Sequence, residues 1–485
     1  MTAEFTPYMV MPSDLATESV PPAVAESLPA PAGLDDETPG LDYETVAQLR
    51  SRVATRLAEE EKKFPALGET DRRELTVTLI HEELETWILH EVNHGRPAPS
   101  VRTEDELVAA VLAEIAGLGR LQPLLARSDI EDIFFEGCEP TILRLADGQK
   151  VPGPPIARTD AELVTMLQTL GSRTGGEQSS REFSAASPVL NLRLRNVGEL
   201  GARLAAEMDV LPRPSGTIRV HRHVDVTLDD LRGRRMVDDP LRAFLRAAVL
   251  GGASMLVTGA PGHGKTTLLR ALTNEIPWDQ VVVTVEDDRE LGTHLLGRHC
   301  VVRSYEARPA NAEGMGAFGM GDALMQALRD SPDRLVVGEV RGGYIVHMLD
   351  AITNGIAGVM CTLHTDSAAG VFDRVAQLVL KATPPLPIEY ALRAASALDL
   401  IVHVTRSASH ERFVTEVVEL GPVGDSGYPS ADPLFRARPD GRAVPTGHQP
   451  SATLGHRLAS AGFDRAWLRP EHSDWDRIPE TEAAS

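Results

Sequence analysis

Residues 259–266 read Gly259-Ala260-Pro261-Gly262-His263-Gly264-Lys265-Thr266, the G-x-x-x-x-G-K-[ST] pattern of a phosphate-binding P-loop. The apolar run at 254–258 predicts a buried strand before the loop, and residues 267–272 predict the first turns of a helix after it. Glycines let such a loop curl, so that its N–H groups and the helix N-terminus face a phosphate. We therefore expect these residues and Thr267 to hold a nucleoside triphosphate, with Lys265 at the β- and γ-phosphates and the Thr266 hydroxyl on Mg²⁺.

The composition restricts the class of protein. A chain of 485 residues is too long for one ordinary core, so two or three domains are expected. The formal net charge of −22 argues against a strongly nucleic-acid-binding surface and against broad docking on anionic lipid. Cys138, Cys300 and Cys361 form no C-x-x-C pair, which suits a reducing cytoplasm and excludes a zinc knuckle.

The sequence also indicates a location. No apolar run approaches the length of a membrane span, and no Lys or Arg precedes Arg50, so the basic start of a secretory signal is missing. We expect a cytoplasmic protein without a direct membrane span. Any association with the inner face of the cell membrane is then peripheral and made through partners.

Two segments precede the globular part of the chain. Residues 1–42 are rich in Pro, Ala, Asp and Glu and predict a disordered acidic arm. Residues 43–116 predict a helical region with one helix from Tyr43 and a second from about Asp71, which turns Leu79 and Val92 inward. A third helix is predicted to begin at Thr103, because Glu106 completes a capping-box pattern with it.

The rest of the chain predicts an α/β fold. Residues 117–225 mix short strands with a helix and predict a small N-terminal α/β domain. Residues 226–423 alternate strands with helices, which is typical of a mostly parallel P-loop sheet. Residues 424–485 are rich in Pro and Gly and predict a C-terminal tail.

Polar side chains follow three further buried strands of the P-loop domain. Glu286 follows residues 280–285, Glu339 ends the run from Arg334, and His364 ends the run from Gly355. Open α/β sheets bind their ligands at the carboxyl ends of strands, so we expect these side chains to face the nucleotide. Glu339 is expected to polarise the attacking water or to hold a water ligand of Mg²⁺.

Taken in this order, the motifs resemble those of the traffic ATPases of type II and type IV secretion and of type IV pili. The nearest branch is that of the tight-adherence pilus (CpaF-like) ATPases. The resemblance runs from about Gly117 to about Gly421. Besides the P-loop, it rests on a Gly-Leu-Gly-Arg motif, an Asp box, a Walker B element and a His box, at residues 117–125, 284–291, 331–343 and 355–364 respectively.

The resemblance implies an ATP-driven hexameric ring that drives protein export or pilin assembly on a platform protein of the inner membrane. It implies a RecA-like P-loop core hinged to the N-terminal domain, with ATP and Mg²⁺ between them. Glu286 matches the acid of the Asp box, Glu339 the catalytic acid and His364 the end of the His box. It also implies that arginines clamp the phosphates from the other domain or from a neighbouring subunit, and these match Arg219, Arg303 and Arg308.

Departures from the family pattern keep other functions open. Gly321, Met325 and Ser331 stand where this branch tends to carry basic residues, and Ile356 stands where the His box usually opens with a second His. A nucleotide-binding regulatory or scaffold subunit with little turnover is therefore the alternative to a motor. A nucleic-acid motor on the same core is disfavoured by the net charge of −22 and by the lack of an aromatic-and-basic stripe.

Overall fold

The computed structural model describes residues 42–64, 68–174, 182–194, 197–198, 200–221, 225–308, 310 and 314–478 of the chain. The predicted acidic arm, apart from Asp42, lies outside the described residues. Asp42 begins the described chain as a helix cap, because its carboxylate accepts hydrogen bonds from the Glu44 backbone N–H at 3.0 Å and the Thr45 hydroxyl at 2.6 Å.

Three helices form the first part of the structure. They are α1 (Tyr43–Lys63), α2 (Glu69–Asn93) and α3 (Val101–Ala116). Val53 of α1 and Leu79 of α2 are buried between the helices. Two predictions differ from the structure: Val92 is 47% exposed near the end of α2, and Ser100 rather than Thr103 caps α3, accepting the Thr103 N–H at 3.2 Å.

A six-stranded antiparallel sheet with one long helix follows. Its strand order is β3-β2-β1-β6-β5-β4. The elements are α4 (Leu121–Ala126), β1 (Ile130–Glu136), β2 (Ile142–Leu145), β3 (Lys150–Pro152), α5 (Asp160–Thr174), β4 (Val189–Leu194), β5 (Ala202–Glu207) and β6 (Ser215–Val220). Alternate strand residues such as Ile133, Leu204 and Ile218 are fully buried, as expected for a sheet packed on one face. The helix predicted between these strands is α5.

The P-loop domain is built on a nine-stranded sheet. Its first elements are α6 (Leu228–Gly233), α7 (Asp239–Leu250), β7 (Met255–Thr258), α8 (Lys265–Thr273), β8 (Val281–Glu286), β9 (Val301–Glu306), α9 (Met320–Ala327), β10 (Arg334–Val337) and α10 (Ile345–Thr353). Its remaining elements are β11 (Met360–Leu363), α11 (Val371–Val379), α12 (Ile388–Ala395), β12 (Leu400–Arg406), β13 (Arg412–Val423), β14 (Pro429–Ala437), β15 (Ala443–Pro445) and α13 (Ala452–Ser460).

The strand order of this sheet brings the predicted motifs to one edge. The order is β15-β14-β13-β12-β7-β11-β10-β8-β9, with β12 through β9 parallel and β13 to β15 antiparallel. Both faces are covered, since Met255 and Val257 of β7 lie in one apolar cluster and Leu256 in another. The predicted α/β fold, a P-loop core with a smaller N-terminal α/β domain, is therefore confirmed.

The end of the described chain belongs to the same core. β14 and β15 extend the sheet beyond the boundary predicted at residue 423, and Phe435 of β14 lies in the same apolar cluster as β7. Trp475 is 1% exposed, and its indole N–H donates to the Ala443 carbonyl at 2.8 Å. The structure therefore shows packed strands and helices over much of the segment predicted as a tail. Leu434 and Phe435 of β14 are both fully buried, so the segment packs on the core despite its Pro and Gly content.

No helix among the described residues combines the length and the apolarity that crossing a membrane would require.

Candidate functional site

The P-loop has the predicted strand–loop–helix geometry. β7 ends at Thr258, and α8 begins at Lys265 directly after Gly264, whose φ is +93°. Gly259 has φ +146°, and a Cβ there would lie 2.3 Å from the Val404 carbonyl oxygen of β12. Only glycine fits a backbone packed so closely in that conformation. The loop is therefore held between the neighbouring strand and the start of the helix.

A cleft of about 340 Å³ lies between this loop and the six-stranded sheet. From the P-loop domain it is lined by Pro261, Gly262, Gly264, Lys265, Thr266, Thr267, Arg270, Glu290, Glu339, Arg341, Thr362, His364, Arg406 and Arg412. From the N-terminal domain it is lined by Ser128, Glu131, Asp132, Arg144, Ala146, Arg203, Arg219, Val220 and His221. The concentration of arginines around a helix N-terminus suits a polyanionic ligand.

Three of the predicted P-loop residues are not in the cleft wall. Gly259 and Ala260 lie at the base of the loop, and the His263 ring turns away to the Val404 carbonyl, with its Nδ1 3.4 Å from that oxygen. Burial lowers the pKa of His263. His263 therefore packs the loop against β12, whereas Lys265, Thr266 and Thr267 face the cleft.

The Lys265 ammonium is buried in the cleft floor. It donates to the Ala260 carbonyl at 3.0 Å and to Nδ1 of His364 at 2.9 Å. Burial, only partly offset by the carboxylate of Glu339, lowers the pKa of Lys265 to about 8. Because an ammonium can only donate, His364 accepts through Nδ1 and carries its own proton on Nε2.

Glu339 lies just beyond β10, with its carboxylate held by two neighbours. Its Oε1 lies 2.8 Å from Nε2 of His364, and Arg341 donates from Nε to Oε1 at 2.6 Å and from Nη2 to Oε2 at 2.7 Å. Burial acts to raise the pKa of Glu339, but the hydrogen bonds from His364 and Arg341 outweigh it and lower the pKa to about 2. Lys265, His364, Glu339 and Arg341 thus form one continuous network.

Glu286 does not line the cleft. It ends β8 at 2% exposure, and its Oε1 accepts the backbone N–H groups of Glu290 and Leu291, each at 2.9 Å. Burial raises the pKa of Glu286 to about 8, against the opposing effect of these two donors. In this structure Glu286 therefore fixes the loop after β8, and its predicted role in catalysis stays a prediction.

Glu290 is the acid of that loop which reaches the cleft. Its backbone is held by Glu286 and by Arg270, which donates to the Glu290 carbonyl, and its side chain lines the cleft. The sequence prediction missed it because both acids follow the same strand. Glu286 is the last residue of β8 and Glu290 lies beyond it, so only the turn between them separates the buried carboxylate from the half-buried one that lines the cleft.

Gly338 stands one residue before Glu339, where a Walker B strand usually carries Asp. A Cβ at Gly338 would lie 3.0 Å from Cγ of Glu286. The buried side chain of Glu286 therefore occupies the space beside this position, which favours glycine.

Arg219 reaches the cleft from the N-terminal sheet, and its role at a phosphate stays a prediction. It lies opposite Asp132 in the β1–β6 pair, and its Nε donates to the Asp132 carboxylate at 2.9 Å. Arg144 donates from Nε to the other oxygen of the same carboxylate at 2.6 Å. The buried Asp132 therefore orients both guanidinium groups at the wall that faces the P-loop.

Arg412 connects that wall to the P-loop. Its Nε donates to the Gly262 carbonyl at 3.0 Å, and its Nη1 and Nη2 lie 3.4 and 3.3 Å from the carboxylate oxygens of Glu131. One side chain from β13 therefore contacts both the loop and the N-terminal sheet.

Arg303 and Arg308 do not reach the cleft of their own chain. Arg303 on β9 pairs with Asp330, and Arg308 donates to the Gly316 carbonyl at 2.9 Å. Their predicted role at a nucleotide therefore depends on a cleft other than that of their own chain.

Oxygen donors that suit Mg²⁺ face the cleft, namely the Thr266 hydroxyl and the carboxylates of Glu290 and Glu339. The described residues hold no group of three or more His, Cys, Asp or Glu side chains that could bind a metal alone. This donor set fits an ion that binds through one or two side chains together with nucleotide phosphates. When bound, such an ion would neutralise charge on those phosphates.

Comparison with known proteins identifies the family of the chain. The model of the family described as "Type II/IV secretion system protein" matches residues 159–426, more than half of the chain. A protein of Mycobacterium tuberculosis that is named for conjugal transfer is 32% identical over 316 residues, which cover 63% of this chain and 85% of that relative. The type IV secretion system protein PtlH of Bordetella pertussis is 36% identical over 168 residues, covering 34% of this chain and 49% of PtlH.

Among solved structures, that of the VirB11 ATPase from the Brucella suis type IV secretion system, in complex with sulphate, is 25% identical. The alignment covers 61% of this chain and 91% of that protein, with a TM-score of 0.32. Two findings decide the assignment to a family. The family model matches more than half of the chain, and the chain covers 85% of the Mycobacterium relative. The chain belongs to the type II/IV secretion system protein family, and the ATPase class predicted from its motifs is confirmed.

Proposed function

We propose that this ATPase is the motor of a protein-export or pilus-assembly machine of the tight-adherence type. One observation carries the proposal: Lys265, Glu339 and His364 meet in one cleft, which Arg219 completes from the other domain. In that arrangement Lys265 binds the terminal phosphates, and Arg219 adds positive charge when the domains close. Glu339, with Glu290 as the second acid, orients water or the water ligands of Mg²⁺.

The motor is proposed to act as a hexamer on a platform protein of the inner membrane, with Mg²⁺ as its cofactor and a peripheral place at the inner face of the membrane. Arg303 and Arg308 lie outside the cleft of their own chain, and in the proposed ring a neighbouring copy adds one of them to that cleft. Nucleic acid is not among its proposed partners, because the net charge of −22 opposes a phosphate backbone.

A scaffold subunit with little turnover is the second candidate. It is favoured by the engagement of both Glu339 oxygens, since a carboxylate held by Arg341 and His364 has little capacity left to orient water. The motor and the scaffold share nucleotide binding and differ in turnover.

Substitutions of Lys265 and Glu339 test the proposal. Lys265→Ala removes the charge that contacts phosphate, so nucleotide affinity is expected to fall about tenfold or more and hydrolysis to be lost. Glu339→Gln keeps the shape of the side chain and changes only the carboxylate, so binding is expected to persist while turnover falls. Calorimetric titration with ATP and phosphate release measure the two quantities.

The control is Arg393→Ala, on the exposed side of α12 and outside the cleft wall, which should match the wild type in both assays. A Glu339→Gln variant that kept most of the wild-type turnover would refute its catalytic role. A wild-type protein that binds ATP with negligible turnover in its assembled form would favour the scaffold.

A further inference from the structure

Both oxygens of the Glu339 carboxylate already have hydrogen-bond donors in this structure. Oε1 of Glu339 accepts from Arg341 Nε at 2.6 Å and lies 2.8 Å from His364 Nε2, and Oε2 accepts from Arg341 Nη2 at 2.7 Å. A carboxylate oxygen offers about two acceptor positions, so Oε1 is fully used. Oε2 keeps one acceptor position beside the Nη2 of Arg341, so a water could be oriented by Oε1 only after one of its two donors leaves.

Of the two donors, Arg341 is the one that can move. Its side chain is 51% exposed, whereas that of His364 is 29% exposed and is also held by Lys265. The backbone around Arg341 is fixed, because its N–H donates to the Tyr344 hydroxyl at 2.9 Å and that hydroxyl donates to the Glu339 carbonyl at 3.2 Å. The guanidinium can therefore swing while the main chain stays in place.

Arg341 also faces the space that a triphosphate would fill. It lines the same cleft as Lys265 and Thr266, at the end where Glu339 and His364 lie. A guanidinium binds phosphate in the same two-pronged geometry with which it binds a carboxylate. A terminal phosphate beside Lys265 therefore competes directly with Glu339 for Arg341.

We propose that Arg341 is a positioning residue that restrains Glu339 in the nucleotide-free protein and transfers to the terminal phosphate of a bound nucleoside triphosphate. The transfer releases Glu339 at the moment when a hydrolysable phosphate is present. A diphosphate lacks that phosphate, so it leaves Arg341 on Glu339. The inference rests on the proposed function, since it needs a catalytic Glu339, and it adds a means of distinguishing ATP from ADP.

The test measures the affinities of the full chain for ADP and for a non-hydrolysable ATP analogue, each with Mg²⁺. Arg341→Ala is expected to lower the affinity for the analogue roughly tenfold or more, while the affinity for ADP changes less than about twofold. Arg341→Lys is expected to fall in between, because an ammonium keeps the charge and loses the fork. Glu339→Gln is expected to raise the affinity for the analogue several-fold and to leave the affinity for ADP unchanged, because the competition for Arg341 is removed.

The double variant Arg341→Ala/Glu339→Gln separates release of Arg341 from simple charge repulsion. If release of Arg341 is the cause, most of the gain in analogue affinity that Glu339→Gln produces disappears in the double variant. A gain that persists undiminished would overturn the proposal, as would equal losses for ADP and analogue in Arg341→Ala. Arg393→Ala again serves as the control. A wild-type protein that binds neither nucleotide would contradict the proposed function itself, whereas normal wild-type binding with an unchanged ratio in Arg341→Ala contradicts only this inference.

Discussion

Four side chains form one hydrogen-bonded network at the centre of the cleft. Lys265 and Arg341 are positively charged and Glu339 is negatively charged. His364 accepts a hydrogen bond from Lys265 through Nδ1 and donates one to Glu339 through Nε2. The network satisfies groups that would otherwise be buried without partners, at a cost of about 1–3 kcal/mol each. Its cations outnumber its anions, which leaves the site attractive to phosphate.

The lowered pKa of Lys265 predicts a pH dependence of nucleotide binding. Below its pKa of about 8 the ammonium is already charged, so affinity should vary little with the state of this group. Above that value binding must first add a proton to Lys265, so affinity should fall by up to about tenfold per pH unit. ADP titrations from pH 6.5 to 9.5 measure the effect. Lys265→Arg, which stays charged over this range, should remove the slope, and a slope that survived in it would assign the titration to another group.

The sequence could predict that Lys265 and Thr266 lie together at one site, because the P-loop fixes them by their spacing, and both line the cleft. It could not separate Glu286 from Glu290. A carboxylate at or just past the end of a strand is buried, like Glu286, or lines the cleft, like Glu290, according to a turn that residue types do not specify. The role of Arg341 was equally hidden, since nothing in the sequence shows that it pairs with a residue two positions away.

At the scale of elements, strand β13 connects the P-loop to the N-terminal sheet. Arg412 holds the Gly262 carbonyl and the carboxylate of Glu131 at the same time. A change in the distance between the two domains is therefore transmitted to the backbone of the loop. Hydrogen bonds of this kind, made by a charged donor, contribute about 1.5–3 kcal/mol when well desolvated.

Substitution of Arg412 tests that connection. Arg412→Ala frees the Gly262 carbonyl and is expected to weaken nucleotide binding by about fivefold, a partial share of a charged hydrogen bond because the side chain is 30% exposed. Glu131→Gln is the matched variant: it removes the interdomain charge pair and leaves the bond to Gly262. If both variants weaken calorimetric nucleotide binding equally, the effect comes from domain contact and not from the loop.

Periodicity predicted most elements of the P-loop domain, since its strands are short buried runs between helices. It failed where composition conceals strands near the end of the sheet. β14 contains Pro429 and Pro433 and pairs with β13 through irregular register, a context in which proline is tolerated. The start of α3 was misplaced because Ser100 and Thr103 are both good capping residues, and only the chain direction before the helix decides between them.

At the scale of the molecule, the cleft combines residues from two domains of one chain but does not include every arginine predicted for it. Arg193 of the N-terminal sheet lies 3.3 Å from Glu306, and Arg203 lies 3.2 Å from Asp288, so further ion pairs join the domains. Arg303 and Arg308 remain outside. The sequence could not predict which arginines reach the cleft and which remain outside it. That outcome depends on how two sheets far apart in the chain pack together.

The predicted ring makes ATPase activity depend on protein concentration. If a second copy supplies a phosphate-contacting arginine, specific activity should rise as the protein is concentrated and level off when the hexamer is complete. An arginine supplied in this way contributes roughly 10³–10⁵ in rate in other P-loop enzymes. Activity across a dilution series, with sedimentation of the same samples, measures this. Full activity in a monomer, independent of concentration, would refute the ring motor.

The contact between Gly338 and Glu286 has a consequence for how this sequence can change. An aspartate at 338 would press its Cβ against Cγ of Glu286 and place a second acid beside a buried carboxyl group. Only a residue at 286 that is both shorter and uncharged would relieve both problems, and it would leave the N–H groups of Glu290 and Leu291 without the Glu286 carboxylate as their acceptor. The two positions are therefore epistatic. An aspartate introduced first at 338 meets Glu286 in place, whereas a substitution made first at 286 loses the two hydrogen bonds of its carboxylate, so the effect of each change depends on the other.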